Sequence, residues 1–306
     1  MSTSDRVPLN VKLAAWVDEA RADPVKFRAR QVTEILLHAV GLSPVLHASL
    51  VLKGGTLMSL AFGSPRTTQD VDFTADADPD DLPEHLRDEL DIALRRASAD
   101  LGYVDLLCRV QSVKYQPRRD GFEECQAPAL QVTIGSALRG TGEEARLERG
   151  AAPQVLGIDI SFKEPLLDAQ ELRLNELAVS LKAYSHAEVI AEKLRALLQQ
   201  PRRNRGRRQD VYDIAYLLER IKDAELPARV HAFLVEKCRA RGFKPTRDLI
   251  DDPAVAERAG REWATLADEL PRGALPAFEE RFAVVREFYQ SLPWSAEAYR
   301  TSDNLN

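Results

Sequence analysis

Residues 51–75 read VLKGGTLMSLAFGSPRTTQDVDFTA, and the order of residue types in them decides how the rest of the chain is read. An apolar approach leads into a glycine pair and a short helix-forming run. A basic-polar loop and a strand with two acids follow. Asp70 and Asp72 alternate with Val71 and Phe73. In a strand both carboxylates then share one face, roughly 7 Å apart along the backbone, while Val71 and Phe73 enter the core on the other. Like charges about 5 Å apart repel by roughly 3 kcal/mol at an effective dielectric of about 20. In a pocket a divalent cation is the natural remedy, so the stretch predicts a metal site beside a glycine turn.

Upstream, the spacing of Val11, Ala14, Ala15 and Val17 predicts a short helix. Asp23-Pro24 supplies the cap and first residue of a longer one that ends at Gly41. Ser49 to Lys53 reads as a strand and Thr56 to Phe62 as a helix starting at the turn. The acids from Asp76 onward suit a helix N-terminus, and that helix runs to about Ala99. A calcium loop is excluded there, because Asp81 stands where glycine is needed and Arg87 where glutamate is needed. Residues 103–163 switch to period two, with strands at 104–108, 110–115, 130–134 and 155–162, and 139–150 as a hairpin loop. From Glu171 onward strand signals nearly vanish, apart from a short 179–181. Helical periodicity covers 186–200, 208–222, 228–241, 254–270 and 277–291. The fold class is α+β, with an α+β front domain at 1–175 and a helical domain at 176–306.

A length of 306 residues and 44% hydrophobic content leave room for two modest domains, each with its own core. The net charge of −6 excludes a uniformly basic nucleic-acid coat, so any such contact must be local. Cys108, Cys125 and Cys238 lack C-x-x-C spacing, which excludes a disulfide framework and a cysteine zinc site. The five histidines are scattered without ligand spacing. No signal-peptide pattern opens the sequence and no apolar run reaches about 18 residues. The expected setting is cytoplasmic, without a membrane partner, for a monomer.

Three further groups could carry chemistry. Asp159, in Gly157-Ile158-Asp159-Ile160-Ser161, repeats the alternation of the first strand. Alone it is a solvated acid; beside Asp70 and Asp72 it becomes a third carboxylate for two hard divalent cations. Lys193 sits at the edge of an apolar stripe through Ile190, Leu194 and Leu197, and Asp210 and Asp213 open the next helix. They read either as a structural Lys193–Asp210 salt bridge or as a lysine on phosphates with an acid that orients it or acts as base. Between these helices Arg202, Arg203, Arg205, Arg207 and Arg208 form the one dense basic loop, a solvated charge run or a phosphate-backbone contact. Lys53 and Arg66 are further candidates for phosphate. The P-loop, Rossmann, G-x-S-x-G and H-E-x-x-H patterns are all missing from the sequence.

Lys53-Gly54-Gly55-Thr56, Arg66-Thr67-Thr68-Gln69-Asp70-Val71-Asp72, Ile158-Asp159-Ile160, Glu192-Lys193-Leu194-Arg195-Ala196-Leu197 and Arg207-Arg208-Gln209-Asp210-Val211-Tyr212-Asp213-Ile214 occur in this order. Over roughly residues 30–220 the series resembles the AbiEii/AbiGii toxins. These are the nucleotidyltransferase partners of type IV toxin–antitoxin and phage-defence systems, and the MenT toxins of mycobacteria are among them. The resemblance implies a polymerase-β-like nucleotidyltransferase core with a mixed sheet, followed by a helical C-terminal domain that completes the active site. It implies a nucleoside triphosphate held at Lys53, Gly54, Gly55, Thr56, Arg66 and Thr68. Two Mg2+ ions would be bound by Asp70, Asp72 and Asp159. Lys193 and Asp210 match the lysine and acid of the family's later motifs, whereas G-G-T departs from the glycine-serine of broader nucleotidyltransferases. The implied acceptor is RNA, the 3′ end of a tRNA, met through the loop Arg202 to Arg208, with translation blocked as the result. The implied protein partner is a cognate antitoxin. Nucleotidylylation of a protein or small molecule, and a non-catalytic nucleotide- or partner-binding module, are the alternatives.

Overall fold

Short apolar runs become strands and longer runs of 3.6-residue period become helices. The first part of the chain gives β1 (Leu9–Val11), α1 (Leu13–Asp18), α2 (Pro24–Leu42), α3 (Pro44–Ser49), β2 (Leu50–Lys53), α4 (Gly54–Phe62), β3 (Asp70–Ala75) and α5 (Asp81–Asp100). Then come β4 (Leu106–Gln116), β5 (Ala129–Leu138), α6 (Gly142–Glu148), β6 (Gln154–Ser161), β7 (Ala169–Leu174) and β8 (Ser180–Tyr184). The remainder is helical: α7 (His186–Arg203), α8 (Arg208–Leu218), α9 (Leu226–Arg239), α10 (Pro253–Gly260) and α11 (Phe278–Ser291), with 3-10 turns at Arg247–Asp251 and Trp263–Glu269. This computed structural model describes residues 8–79, 81–175, 179–203 and 206–294.

The chain divides into two units. One comprises the residues up to Gly63 with Thr68–Tyr184; the other comprises Ser64–Thr67 with the residues from Ser185 onward. The break follows Tyr184 rather than residue 175, because β8 pairs in parallel with β2 and antiparallel with β7. The first unit is built on one mixed sheet of order β1-β7-β8-β2-β3-β6-β5-β4. Its centre is apolar on one side, where Val71, Phe73, Ile158 and Ile160 are buried. Fully burying such a side chain contributes about 1.5–3 kcal/mol. α2 packs against α5 and on the sheet at β6 and β8, and its residues 32–40 are buried without a break. Asp23 caps it, accepting from the Val25 and Lys26 N–H groups at 3.1 Å.

Several local expectations change. Val11 belongs to β1, held in parallel by β7, and not to the first helix. Residues 142–148 form α6 instead of a loop, since the Thr141 hydroxyl accepts from Glu143 N–H at 3.2 Å and two glutamates occupy its first turn. The two strands expected before residue 116 are a single strand, β4, with a register shift between Val110 and Ser112. In the second unit α7 packs against α8, α9 and α10, and α8 against α11. Ile190, Leu194, Ile214, Val230, Leu234, Val285 and Tyr289 are buried there. Burial pushes the Cys108 and Cys238 thiols up to about 12, which keeps both inert. Among the described residues no helix is long and apolar enough to cross a membrane.

Candidate functional site

β2 ends at Lys53, and the chain turns at Gly54 directly into α4 with φ 71°. A Cβ at Gly54 would lie 1.9 Å from Asp72 Oδ2, so the turn backbone and that carboxylate occupy adjoining space that only glycine leaves open. Gly157 does the same for Asp70, whose Oδ1 would lie 2.3 Å from an added Cβ. Register then sets the acids beside one another. Lys53 on β2, Asp72 on β3, Asp159 on β6, Gln131 on β5 and Lys114 on β4 stand directly opposite in successive pairs. Residues paired this way project from the same face, the polar face opposite Val71 and Ile158.

The electrostatics of the row are those of crowded carboxylates. Burial and the neighbouring Asp70 raise the Asp159 pKa, against a hydrogen bond from Gln131 and the charge of Lys53. The donors are hard oxygens, the set that a divalent magnesium or calcium ion prefers. Among the described residues no group of three or more histidine, cysteine or acidic side chains is placed to hold a metal ion. The expected metal residues are present as a row across β3 and β6.

The expected phosphate residues fare differently. α4 begins at Gly54, and the Lys53 side chain at its N-cap position makes no capping hydrogen bond; its first turn contains Gly55 and Thr56. Thr56 is buried and donates its hydroxyl to the Asp70 carbonyl at 3.0 Å; Thr68 approaches the same carbonyl at 3.5 Å. Both hydroxyls thus brace the start of β3. Lys53 forms an ion pair with Glu164, which also accepts from Thr74 at 3.0 Å. Arg66 belongs to the helical unit, where its guanidinium is spent on carboxylates instead of projecting toward a ligand. Nε and Nη2 donate to Asp213 at 3.1 and 3.0 Å, and Nη1 donates to Glu269 at 2.8 Å.

Also in the helical unit, Lys193 is 9% exposed. Its ammonium lies 2.8 Å from Asp210 Oδ1 and 2.8 Å from Asp213 Oδ2. α7 starts at a serine cap, Ser185 Oγ accepting from Glu188 N–H at 3.2 Å, and carries Lys193 two turns later. α8 offers Asp210 from its first turn and Asp213 one turn on. Burial works against charge on Lys193, but Asp210 and Asp213 outweigh it and the pKa is raised. Burial likewise opposes the Asp213 charge, yet Lys193 and Arg66 hold its pKa down. Asp210 Oδ2 has no hydrogen-bond partner among the described residues, with Arg207 at 3.9 Å. The basic loop is partly committed: Arg208 pairs with Glu269 at 3.4 Å, and Arg202 lies over the Phe243 ring. The Arg203 side chain and the whole of Arg205 lie outside the described residues.

Sequence reasoning noted Asp213 as a second acid on α8 but gave it no role in the site. It passed over Gln131, Lys114 and Glu164. Asp213 had a signal, an acid three residues after Asp210 on the same helix; Gln131 and Lys114 had none beyond strand alternation, and Glu164, between β6 and β7, had none.

The family described as nucleotidyl transferase AbiEii toxin, type IV toxin–antitoxin system, matches residues 37–285. The chain belongs to the AbiEii family. Every candidate site residue above lies within the matched span. No curated protein matches the chain. Among solved structures this AbiEii protein is similar to MenT4, a nucleotidyltransferase toxin from Mycobacterium tuberculosis H37Rv. The TM-score is 0.53 and the identity 20%, over 94% of this chain and 91% of that one. It is also compared with JHP933 from Helicobacter pylori, at TM-score 0.43 and 11% identity over 85% and 88% of the two chains. The first likeness shows a shared fold, that of a nucleotidyltransferase toxin with a mixed sheet and C-terminal helices. Membership makes this AbiEii chain a nucleotidyltransferase toxin of a type IV system and brings with it an antitoxin partner.

Proposed function

We propose that the protein transfers a nucleoside monophosphate from a nucleoside triphosphate to an RNA acceptor, the 3′ end of a tRNA, and that the blocked end halts translation. The observation that carries this reading is the row of Asp72 and Asp159, with Asp70 alongside, next to the glycine turn that starts α4. Backbone N–H groups at a helix start favour phosphate, so Gly54, Gly55 and Thr56 would receive the triphosphate. Asp70, Asp72 and Asp159 would hold Mg2+, which when bound neutralises phosphate charge and stabilises the leaving pyrophosphate. Lys53, tied to Glu164, tempers the acid row. The acceptor hydroxyl attacks the α-phosphorus, the bond to pyrophosphate breaks, and the hydroxyl proton departs to a base. Asp210 Oδ2 is a candidate for that base, and Lys193 offsets the developing negative charge. Arg66 is not assigned to phosphate, because its charge and three of its five N–H donors are engaged by Asp213 and Glu269. Arg202 and Arg207 are assigned to the RNA backbone.

The test is incubation with labelled nucleoside triphosphates and Mg2+ in separate pools of tRNA, protein and small molecules. Label is expected on tRNA alone, lost when its 3′ hydroxyl is blocked and lost with Asp70→Ala. Label on protein or on a small molecule would replace the RNA acceptor. Nucleotide binding with no transfer to any pool would make the chain a binding module.

A further inference from the structure

Asp213 has no exposed surface, yet it serves two cations. Its Oδ1 accepts from Arg66 Nε and its Oδ2 from Arg66 Nη2, a two-pronged pair that fixes the plane of the carboxylate. The Lys193 ammonium lies 2.8 Å from the same Oδ2. Both oxygens are engaged, so Asp213 has little capacity left for substrate. Asp210 differs, since Oδ1 meets Lys193 while Oδ2 lacks a hydrogen-bond partner among the described residues. The charges run in alternating sign through Glu269, Arg66, Asp213, Lys193 and Asp210.

A single ion pair would suffice to join α7 to α8, and Lys193–Asp210 already does so. The second carboxylate adds direction. An ammonium has three N–H groups, and two oxygens at equal distance fix two of them and aim the third. We propose that Asp213 is a positioning residue that holds the Lys193 ammonium in a single orientation for the role in transfer assigned to it, and that Arg66 serves this arrangement by anchoring Asp213. This rests on the role in nucleotidyl transfer given to Lys193 above. The charged groups that act on Lys193 are Asp210 and Asp213 from α8 and Arg66 from the 64–67 segment. Removing the Asp213 charge leaves Lys193 with one carboxylate and a guanidinium balanced only by Glu269, which lowers its proton affinity.

The experiment uses the full chain labelled with 13C-lysine, with the Lys193 signal assigned through Lys193→Arg. In Asp213→Asn the Lys193 titration midpoint should fall by about one unit or more, a tenfold or greater loss of proton affinity. In nucleotide transfer the same variant should lose about 10- to 100-fold in kcat with KM for the triphosphate nearly unchanged. Its alkaline limb should move to lower pH, and Lys193→Met/Asp213→Asn should be no slower than Lys193→Met alone. Asp213→Glu, which keeps the charge but moves it, should fall between wild type and the Asn variant. An unchanged Lys193 titration, or a further loss in the double variant, overturns the proposal. If Asp213→Asn does not fold, wild-type kcat in Asp213→Glu overturns it. The titration needs no activity, so wild-type protein that transfers no nucleotide refutes the transfer reading while Asp213's hold on Lys193 is still decided.

Discussion

Gly54 is the residue on which the acid row is most exposed to a single substitution. Alanine there meets two obstacles: a left-handed backbone costing about 1–2 kcal/mol, and a Cβ placed 1.9 Å from Asp72 Oδ2. Gly54→Ala should therefore fold with its melting temperature lowered by about 2–8 °C and displace the Asp72 carboxylate. Mg2+ should raise the wild-type melting temperature by linkage and raise that of the variant much less; equal gains would disconnect the glycine turn from the metal. Asp159 gives a pH dependence. Its folded pKa is raised by burial and by Asp70, so the folded state holds this proton more tightly than the unfolded chain. The associated stability is complete below the ordinary carboxylate range and is lost as pH rises through the raised value. Melting in metal-free buffer across that range should show a declining limb that Asp159→Asn flattens. A limb of the same slope in the variant would assign it to another group. The paired acids of β3 were legible because alternation with Val71 and Phe73 dictates their face. The Arg66–Asp213 pair was not, because its partners are 147 residues apart and nothing local to either position names the other.

Helices α7 and α9 are joined by a pair that no local pattern announces. Lys237 lies 2.9 Å from Glu188, with side-chain exposures of 1% and 0%. Both residues fall on the apolar side of otherwise regular stripes, where charge is costly unless matched. Lys237→Met should destabilise the protein by about 3–5 kcal/mol, because it leaves the Glu188 carboxylate buried without its ammonium. Adding Glu188→Leu should recover most of that loss. Denaturant unfolding of both single variants and the double variant measures this; additive losses would mean that the helices do not depend on the pair. The same contrast explains which elements the sequence disclosed. Long periodic helices such as α2, α7 and α11 declare themselves through repeated apolar positions, and α2 and α7 also through a side-chain cap. β1 has only three residues, and β7, AQELRL, places Glu171 and Arg173 among its apolar positions. Such strands exist because a neighbour supplies their hydrogen bonds, β7 to β1 and β8 to β7. α6 was hidden by the glycines and charges around it, although Thr141 followed by Glu143 and Glu144 was a readable start.

A net charge of −6 sets the terms on which an RNA could be bound. The mean field of the protein repels a polyanion, so affinity must come from a few cations whose local potential exceeds it. Within the loop, Arg202 is exposed and Arg207 partly so, whereas Arg208 is turned toward Glu269. Binding by so few contacts predicts a shallow salt dependence. For a single-stranded end the slope of log K against log salt is about −0.7 per neutralised phosphate. Arg202→Gln should weaken tRNA binding and reduce that slope by about one contact. It should leave untouched the melting-temperature gain from triphosphate and Mg2+, because those ligands are assigned to Asp70, Asp72, Asp159 and the start of α4. Arg202 is the cleaner choice over Arg207, which lies 3.9 Å from Asp210 Oδ2 and would disturb the Lys193 cluster when removed. Filter binding from low to moderate salt, beside thermal melts of the same preparations, separates the two ligands. A salt slope unchanged by Arg202→Gln would remove Arg202 from the RNA contact. A lost triphosphate response in that variant would contradict the assignment of the two ligands to different residues.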